Sequence, residues 1–172
     1  ISRIMDSLMA FPSILLALGI MAMLGATTTN VIVALTLVYM PRVARVARAP
    51  VMSQKSLEYV EAARAGGASH LRLIFRHILP NVTSPIIVQA TVVFAYAMVA
   101  EAALGFLGIG VPPPQPTWGN LLADARRTLT SAPMQTVFPA LALGLTVLGV
   151  NLFGDGLRDV LDPRMRGHGG DP

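Results

Sequence analysis

The 172-residue chain contains no cysteine, which excludes a disulfide framework and a thiolate metal site. Its three histidines, His70, His77 and His168, are too scattered for a convincing metal cluster. Charge is scarce as well: 13% of the residues are charged, against about a quarter in an ordinary soluble domain. There is no G-x-x-x-x-G-K-[ST] segment, so a nucleotide site of that type lies elsewhere. An intramembrane enzyme would need a zinc motif, a nucleophile elbow or paired acids within a span, and none is present. A passive channel would need a charged ring or a filter sequence, which is also missing. No segment alternates apolar and polar residues in the manner of a membrane β-barrel.

What the chain has is apolar length. Hydrophobic residues make up 53% of it, and the mean hydropathy is +0.62. Between positions 7 and 41 there are 35 residues without a charge. As one helix they would run about 52 Å, against a hydrocarbon core of roughly 30 Å. The polar stretch Gly25-Ala26-Thr27-Thr28-Thr29-Asn30 supplies a turn, so two spans are expected, about 8–24 and 31–46. A third is expected at about 82–107 and a fourth at about 137–154. The fold class read from this is an all-α membrane protein, a polytopic transmembrane helix bundle.

The Lys/Arg distribution orients the bundle, because basic residues accumulate on the cytoplasmic side. With 42–76 inside, Arg3, Arg42, Arg45, Arg48, Lys55, Arg64, Arg72, Arg76, Arg158, Arg164 and Arg166 are cytoplasmic. Only Arg126 and Arg127 are then outside, a split of 11 to 2 among the 13 basic residues. Both ends of the chain are expected in the cytoplasm. The net charge of +4 follows this bracketing of apolar runs and forms no basic face for nucleic acid. Ile1 stands where a start would have Met, and no basic n-region or cleavage site follows it. The sequence there reads as an interior cut.

The cytoplasmic loop, 50–80, is the most polar part. Ser53 or Ser56 is expected to cap a helix running through 55–64, and Gly66-Gly67 to stop it, because Gly accepts the left-handed conformation after a helix. Ser69 is expected to cap a second short helix over 71–78, with Pro80 marking entry to the third span. The small residues Ala62, Ala63, Ala65, Gly66, Gly67 and Ala68 would let another backbone come close. Equally, Ala is a good helix former and Gly a good stop.

The order Glu61-Ala62-Ala63-x-x-x-Gly67, followed by Ile78-Leu79-Pro80, resembles the EAA loop of binding-protein-dependent ABC permeases. The segment Leu104-Gly105-Phe106-Leu107-Gly108-Ile109-Gly110-Val111-Pro112-Pro113-Pro114-Gln115-Pro116-Thr117-Trp118-Gly119-Asn120 is similar to the C-type subunit of dipeptide, oligopeptide and nickel importers. So is the tail, Asn151-Leu152-Phe153-Gly154-Asp155-Gly156-Leu157-Arg158-Asp159-Val160-Leu161-Asp162-Pro163-Arg164. Three positions depart from the pattern: Gly66 replaces a larger aliphatic residue, Ile78 is displaced by one, and Gly105 stands where relatives often have Ser.

The resemblance implies an importer permease with no chemistry or bound cofactor of its own, ATP being used by partner ATP-binding cassette ATPase subunits. It implies a coupling helix in which Glu61, Ala62, Ala63 and Gly67 contact the ATPase. It also implies a second homologous permease, an extracytoplasmic substrate-binding protein, and residence in a bacterial inner membrane. The family has six spans, so two more are expected ahead of the four found here.

Two further residues stand out. Glu101 is the sole acid well inside an apolar run, which makes it a candidate for the transport pathway. Its place about a turn and a half from the outer end also lets it reach interfacial water. Trp118, in the outer loop 108–136, suits the membrane–water interface or a surface that receives the binding protein. Pro112, Pro113, Pro114 and Pro116 are expected to hold that loop extended.

Overall fold

The structure, a computed structural model, describes residues 2–161. Ile1 and the distal positions Asp162, Pro163, Arg164, Arg166 and His168 named above lie outside the described residues. Those described are helical, with no strand among them. Among the described residues three helices are long and apolar enough to cross a membrane, and a bent pair brings the number to four if it is taken as one span.

That bent pair lies where one straight span was expected at 8–24. Helix α1 (Ser2–Met9) stops before Pro12, and α2 (Ser13–Leu24) restarts after it at an angle of 100°. Pro12 lacks an N–H and pushes Phe11 out of helical geometry, so one helix cannot run through. Asp6 of α1 then reaches Arg45 at 2.7 Å. Both side chains are more than half exposed, so the ion pair contributes about 0–1 kcal/mol.

Gly25, at φ +84°, opens the turn between α2 and α3 (Thr28–Lys55). The Thr27 hydroxyl accepts from the Asn30 N–H at 3.2 Å, and the Asn30 side chain donates to the carbonyls of Leu24 and Gly25. These bonds satisfy groups that the two helix ends leave open. Helix α3 runs nine residues past the expected end at 46, through Pro41 and Pro50.

The loop 50–80 differs from expectation in two ways. Neither Ser53 nor Ser56 caps the next helix. Ser56 ends α3 instead, its hydroxyl donating to the Ser53 carbonyl, and α4 (Glu58–Ala65) begins after Leu57 with no side-chain cap. Nor is there a break at Pro80. Helix α5 runs without interruption over His70–Phe106, 37 residues, started by Ser69, whose hydroxyl accepts from the Arg72 N–H. The helix absorbs Pro80 by widening to π geometry over Leu73–Ile78, with the Leu79 N–H bonded to the Ile74 carbonyl. A regular turn would drive the proline ring into the carbonyl of Arg76, four residues back, and the wider turn moves that carbonyl aside.

The outer loop turns at Pro113 and Pro114 rather than staying extended, then forms the short helix α6 (Trp118–Ala125), capped by the Thr117 hydroxyl. Helix α7 (Met134–Leu161) contains the expected span 137–154 and runs seven residues beyond it.

Helix α5 is the centre, packed against α3 on one side and α7 on the other. One buried cluster joins Ala17 and Met21 of α2, Val31, Ala34 and Val38 of α3, and Ala100 and Leu104 of α5. A smaller one, Val60, Leu73, Ile78 and Val82, roots α4 on the start of α5. Between α5 and α7 the approach is so close that a Cβ on Gly154 would collide with the Thr91 side chain. Small residues at such crossings are how membrane helices gain packing without a hydrophobic driving force. Much of the apolar surface faces outward: Phe138, Leu141, Leu145, Leu148 and Leu152 of α7 are all more than half exposed. A lipid environment matches that surface.

Candidate functional site

The residues singled out by sequence fall at opposite ends of the bundle. At one end the Thr28 hydroxyl donates to Gln115 Oε1 at 2.7 Å, joining the α2–α3 turn to the loop after α5. At the other, α4 bridges α3 and α5. Helix α3, 28 residues long, separates the two ends by about 40 Å at 1.5 Å per residue.

On α4 the four candidate residues do not share one environment. Glu61, Ala62 and Gly67 are exposed, whereas Ala63 packs against the buried cluster around Val60. Gly67 has φ +83°, with open space where a side chain would project. Backbone conformation, not crowding, therefore requires glycine there. Leu57, Leu71, Ile74 and Phe75 are also exposed near this end, so an apolar surface surrounds the acidic start of α4 formed by Glu58 and Glu61.

Sequence reasoning missed Tyr59. Its hydroxyl lies 2.6 Å from Gln54 Oε1 and 3.1 Å from the His77 carbonyl, and accepts from Asn81 Nδ2 at 3.2 Å. Asn81 donates to the same His77 carbonyl at 2.7 Å. One phenol thus ties α4 to both long helices it lies between. Nothing in the local sequence marks it, because its partners are 5, 18 and 22 positions away. His77 contributes its carbonyl to this knot, and its ring lies beside that of Tyr59.

At the far end, Gly105, Gly110 and Gly119 let the outer loop fold back onto α5. A Cβ on Gly119 would lie 2.5 Å from the Ala102 carbonyl oxygen and 2.8 Å from Gly105 Cα. One on Gly110 would lie 2.6 Å from Gly105 Cα. Asn120 fastens the fold by donating to the carbonyls of Val111 and Gln115. Since Gly119 rests on Ala102, the preceding residue of each, Trp118 and Glu101, come together. Both line a cavity of about 450 Å³, with Pro116, Thr117 and Leu121. Oε1 of Glu101 is buried and has no hydrogen-bond partner among the described residues.

A second charge within the bundle counted in the sequence only towards orientation. Arg42 of α3 lies 5.4 Å from the centre of the Tyr39 ring and 5.5 Å from that of Tyr96. It also donates to the Ser13 hydroxyl at 3.1 Å. Two aromatic faces and a hydroxyl hold the guanidinium where no carboxylate among the described residues reaches it.

Comparison with known proteins bears on what these ends serve. The model of the binding-protein-dependent transport system inner membrane component family matches residues 1–167. A putative peptide transport system permease protein of Brucella suis is 53% identical over 167 residues, 97% of this chain and 56% of its own. A dipeptide transport system permease protein of Alkalihalophilus pseudofirmus is 49% identical over 166 residues, 96% of this chain and 55% of its own. A glutathione transport system permease protein of Shigella flexneri is 46% identical over 167 residues, 97% of this chain and 55% of its own. The chain thus spans about half the length of the curated relatives it matches. With this match along nearly its whole length and helices long and apolar enough to cross a membrane, the chain belongs to the binding-protein-dependent transport system inner membrane component family.

Proposed function

We propose that this chain forms part of the membrane path of an ABC importer that moves peptides across a bacterial inner membrane. The observation that carries the reading is α4, a short exposed helix rooted between two long membrane helices in a chain of the permease family. Such a helix is a lever: a partner that grips it moves α3 and α5 with it.

The partners are ATP-binding cassette ATPase subunits at the α4 end, a second homologous permease beside the bundle, and a substrate-binding protein at the Trp118 end. The basic excess around α3 and α4 supports a cytoplasmic position for that end, and the same bias over the whole sequence supports it for both chain ends. ATP is bound and hydrolysed by the ATPase subunits and not by this chain. Its binding drives transport by stabilising one arrangement of the bundle over the other through differential contacts at α4. Glu61, Ala62 and Gly67 make that contact, while Ala63 holds the helix from beneath. The substrate class is taken from relatives named for dipeptide and glutathione transport.

The test is uptake by proteoliposomes containing the full-length permease, its permease partner, the ATPase subunits and the binding protein. Accumulation of a labelled dipeptide should require ATP and every component. Accumulation that persists without ATP would make the protein a passive channel instead.

A further inference from the structure

We propose that Glu101 and Trp118 form an ammonium-binding site at the outer mouth of the bundle, which receives the free amino group of the peptide. The inference rests on the importer reading and adds the chemistry of one contact.

Three observations lead to it. The first is the carboxylate itself. An acid within a membrane helix is costly, and a buried carboxylate oxygen without a donor costs more, so a group that recovers this cost by pairing is expected. Oε1 of Glu101 is such an oxygen. The second is the company it keeps. The cavity it lines, about 450 Å³, holds one indole, one hydroxyl-bearing side chain and two apolar residues, and Glu101 is its one charged wall among the described residues. Carboxylate and indole together match an ammonium group, which donates a charge-assisted hydrogen bond to the first and is attracted by the ring of the second. A carboxylate or phosphate ligand would be repelled by the same wall.

The third observation is rigidity. The contact of Gly119 with Ala102 and Gly105 sets the backbone carrying Trp118 against the backbone carrying Glu101. The Asn120 bonds to Val111 and Gln115 lock the loop that closes the cavity. The backbones of both walls are thus fixed before the ligand arrives, and only the Glu101 carboxyl, whose Oε1 is buried, has to turn to meet it, so little binding energy goes into ordering the site. Such a pair at the mouth would take the peptide by its amino end, a feature shared by peptides of any side chain.

The experiment uses the complete reconstituted importer and labelled dialanine at a concentration below half-saturation. Glu101→Gln keeps size and hydrogen bonding and removes the charge. It should lower uptake roughly tenfold or more, the scale of a lost charge-assisted hydrogen bond. ATP hydrolysis stimulated by the loaded binding protein should stay within about twofold of wild type, so the ATP spent per peptide rises. Trp118→Phe should fall between the two, since a smaller ring keeps part of the cation attraction. Equal uptake by Glu101→Gln and wild type overturns the proposal. So does a parallel fall in uptake, stimulated hydrolysis and binding-protein attachment, which would make Glu101 a docking or structural residue. Absence of dialanine uptake in the wild type would strike the importer reading rather than this site.

Discussion

Gly119 and Gly67 are both glycines without alternatives, for opposite reasons. At Gly119 a methyl group would meet the Ala102 carbonyl and Gly105 Cα, both backbone atoms with no side-chain freedom to yield. Gly119→Ala should therefore lower stability by about 1–3 kcal/mol, the usual cost of overpacking. Thermal unfolding in detergent would register it, and an unchanged midpoint would mean that the loop does not rest on α5. At Gly67 there is room for a side chain, but φ is +83°. Gly67→Leu should cost about 1–2 kcal/mol locally through left-handed strain. Membrane insertion should stay normal, while ATPase binding and uptake are lost. If ATPase association and uptake both persist, Gly67 is a helix stop and nothing more. The sequence pointed to a stop at Gly66-Gly67, since paired glycines after a helix carry that meaning alone. It gave no hint of the Gly105–Gly119 contact, which joins residues 14 positions apart through a loop whose path depends on tertiary packing.

Helices were easier to foresee than their limits. The spans near 31–46 and 137–154 lie inside longer helices, and that near 82–107 does so up to its last residue, because uncharged length of that kind has few alternatives in lipid. The ends were misread where a proline or a serine had two meanings. Pro12 breaks the chain between α1 and α2, whereas Pro80 is absorbed by a π turn, and the sequence around each does not say which will happen. Ser56 closes α3 when it was expected to open α4. Helix α4 lacks a cap, and its placement comes from Val60 beneath it and Tyr59 at its side. Tyr59→Phe should thus loosen the helix by about 0.5–1.5 kcal/mol, the net value of an ordinary hydrogen bond, while leaving α3 and α5 intact. Hydrogen exchange should rise over Glu58–Ala65 and stay unchanged in the long helices. Uniform exchange across the three elements would contradict a role for Tyr59 in holding α4. In transport assays the complex carrying this variant should hydrolyse more ATP per peptide moved, because on the proposed function a loose lever transmits less of the ATPase motion.

In the whole molecule, transport as proposed requires the two ends of the bundle to face different compartments. Thr28 and Gln115 share one end through a direct hydrogen bond, and Ser69 lies at the other. These 172 residues contain no cysteine, so a single substitution introduces the one thiol among them. Thr28→Cys and Gln115→Cys should react with an impermeant thiol reagent added to intact cells, and Ser69→Cys should not. Labelling of position 69 alone would invert the bundle. On the proposed function, the exposed face of α4 is where the ATPase holds this chain. Its most direct measurement is site-specific cross-linking in the assembled complex, with other accessible cysteines replaced. Ala62→Cys should form a short bismaleimide link to an ATP-binding cassette subunit, and Thr28→Cys should form none. A link from position 28 to the ATPase, with none from position 62, would contradict the account.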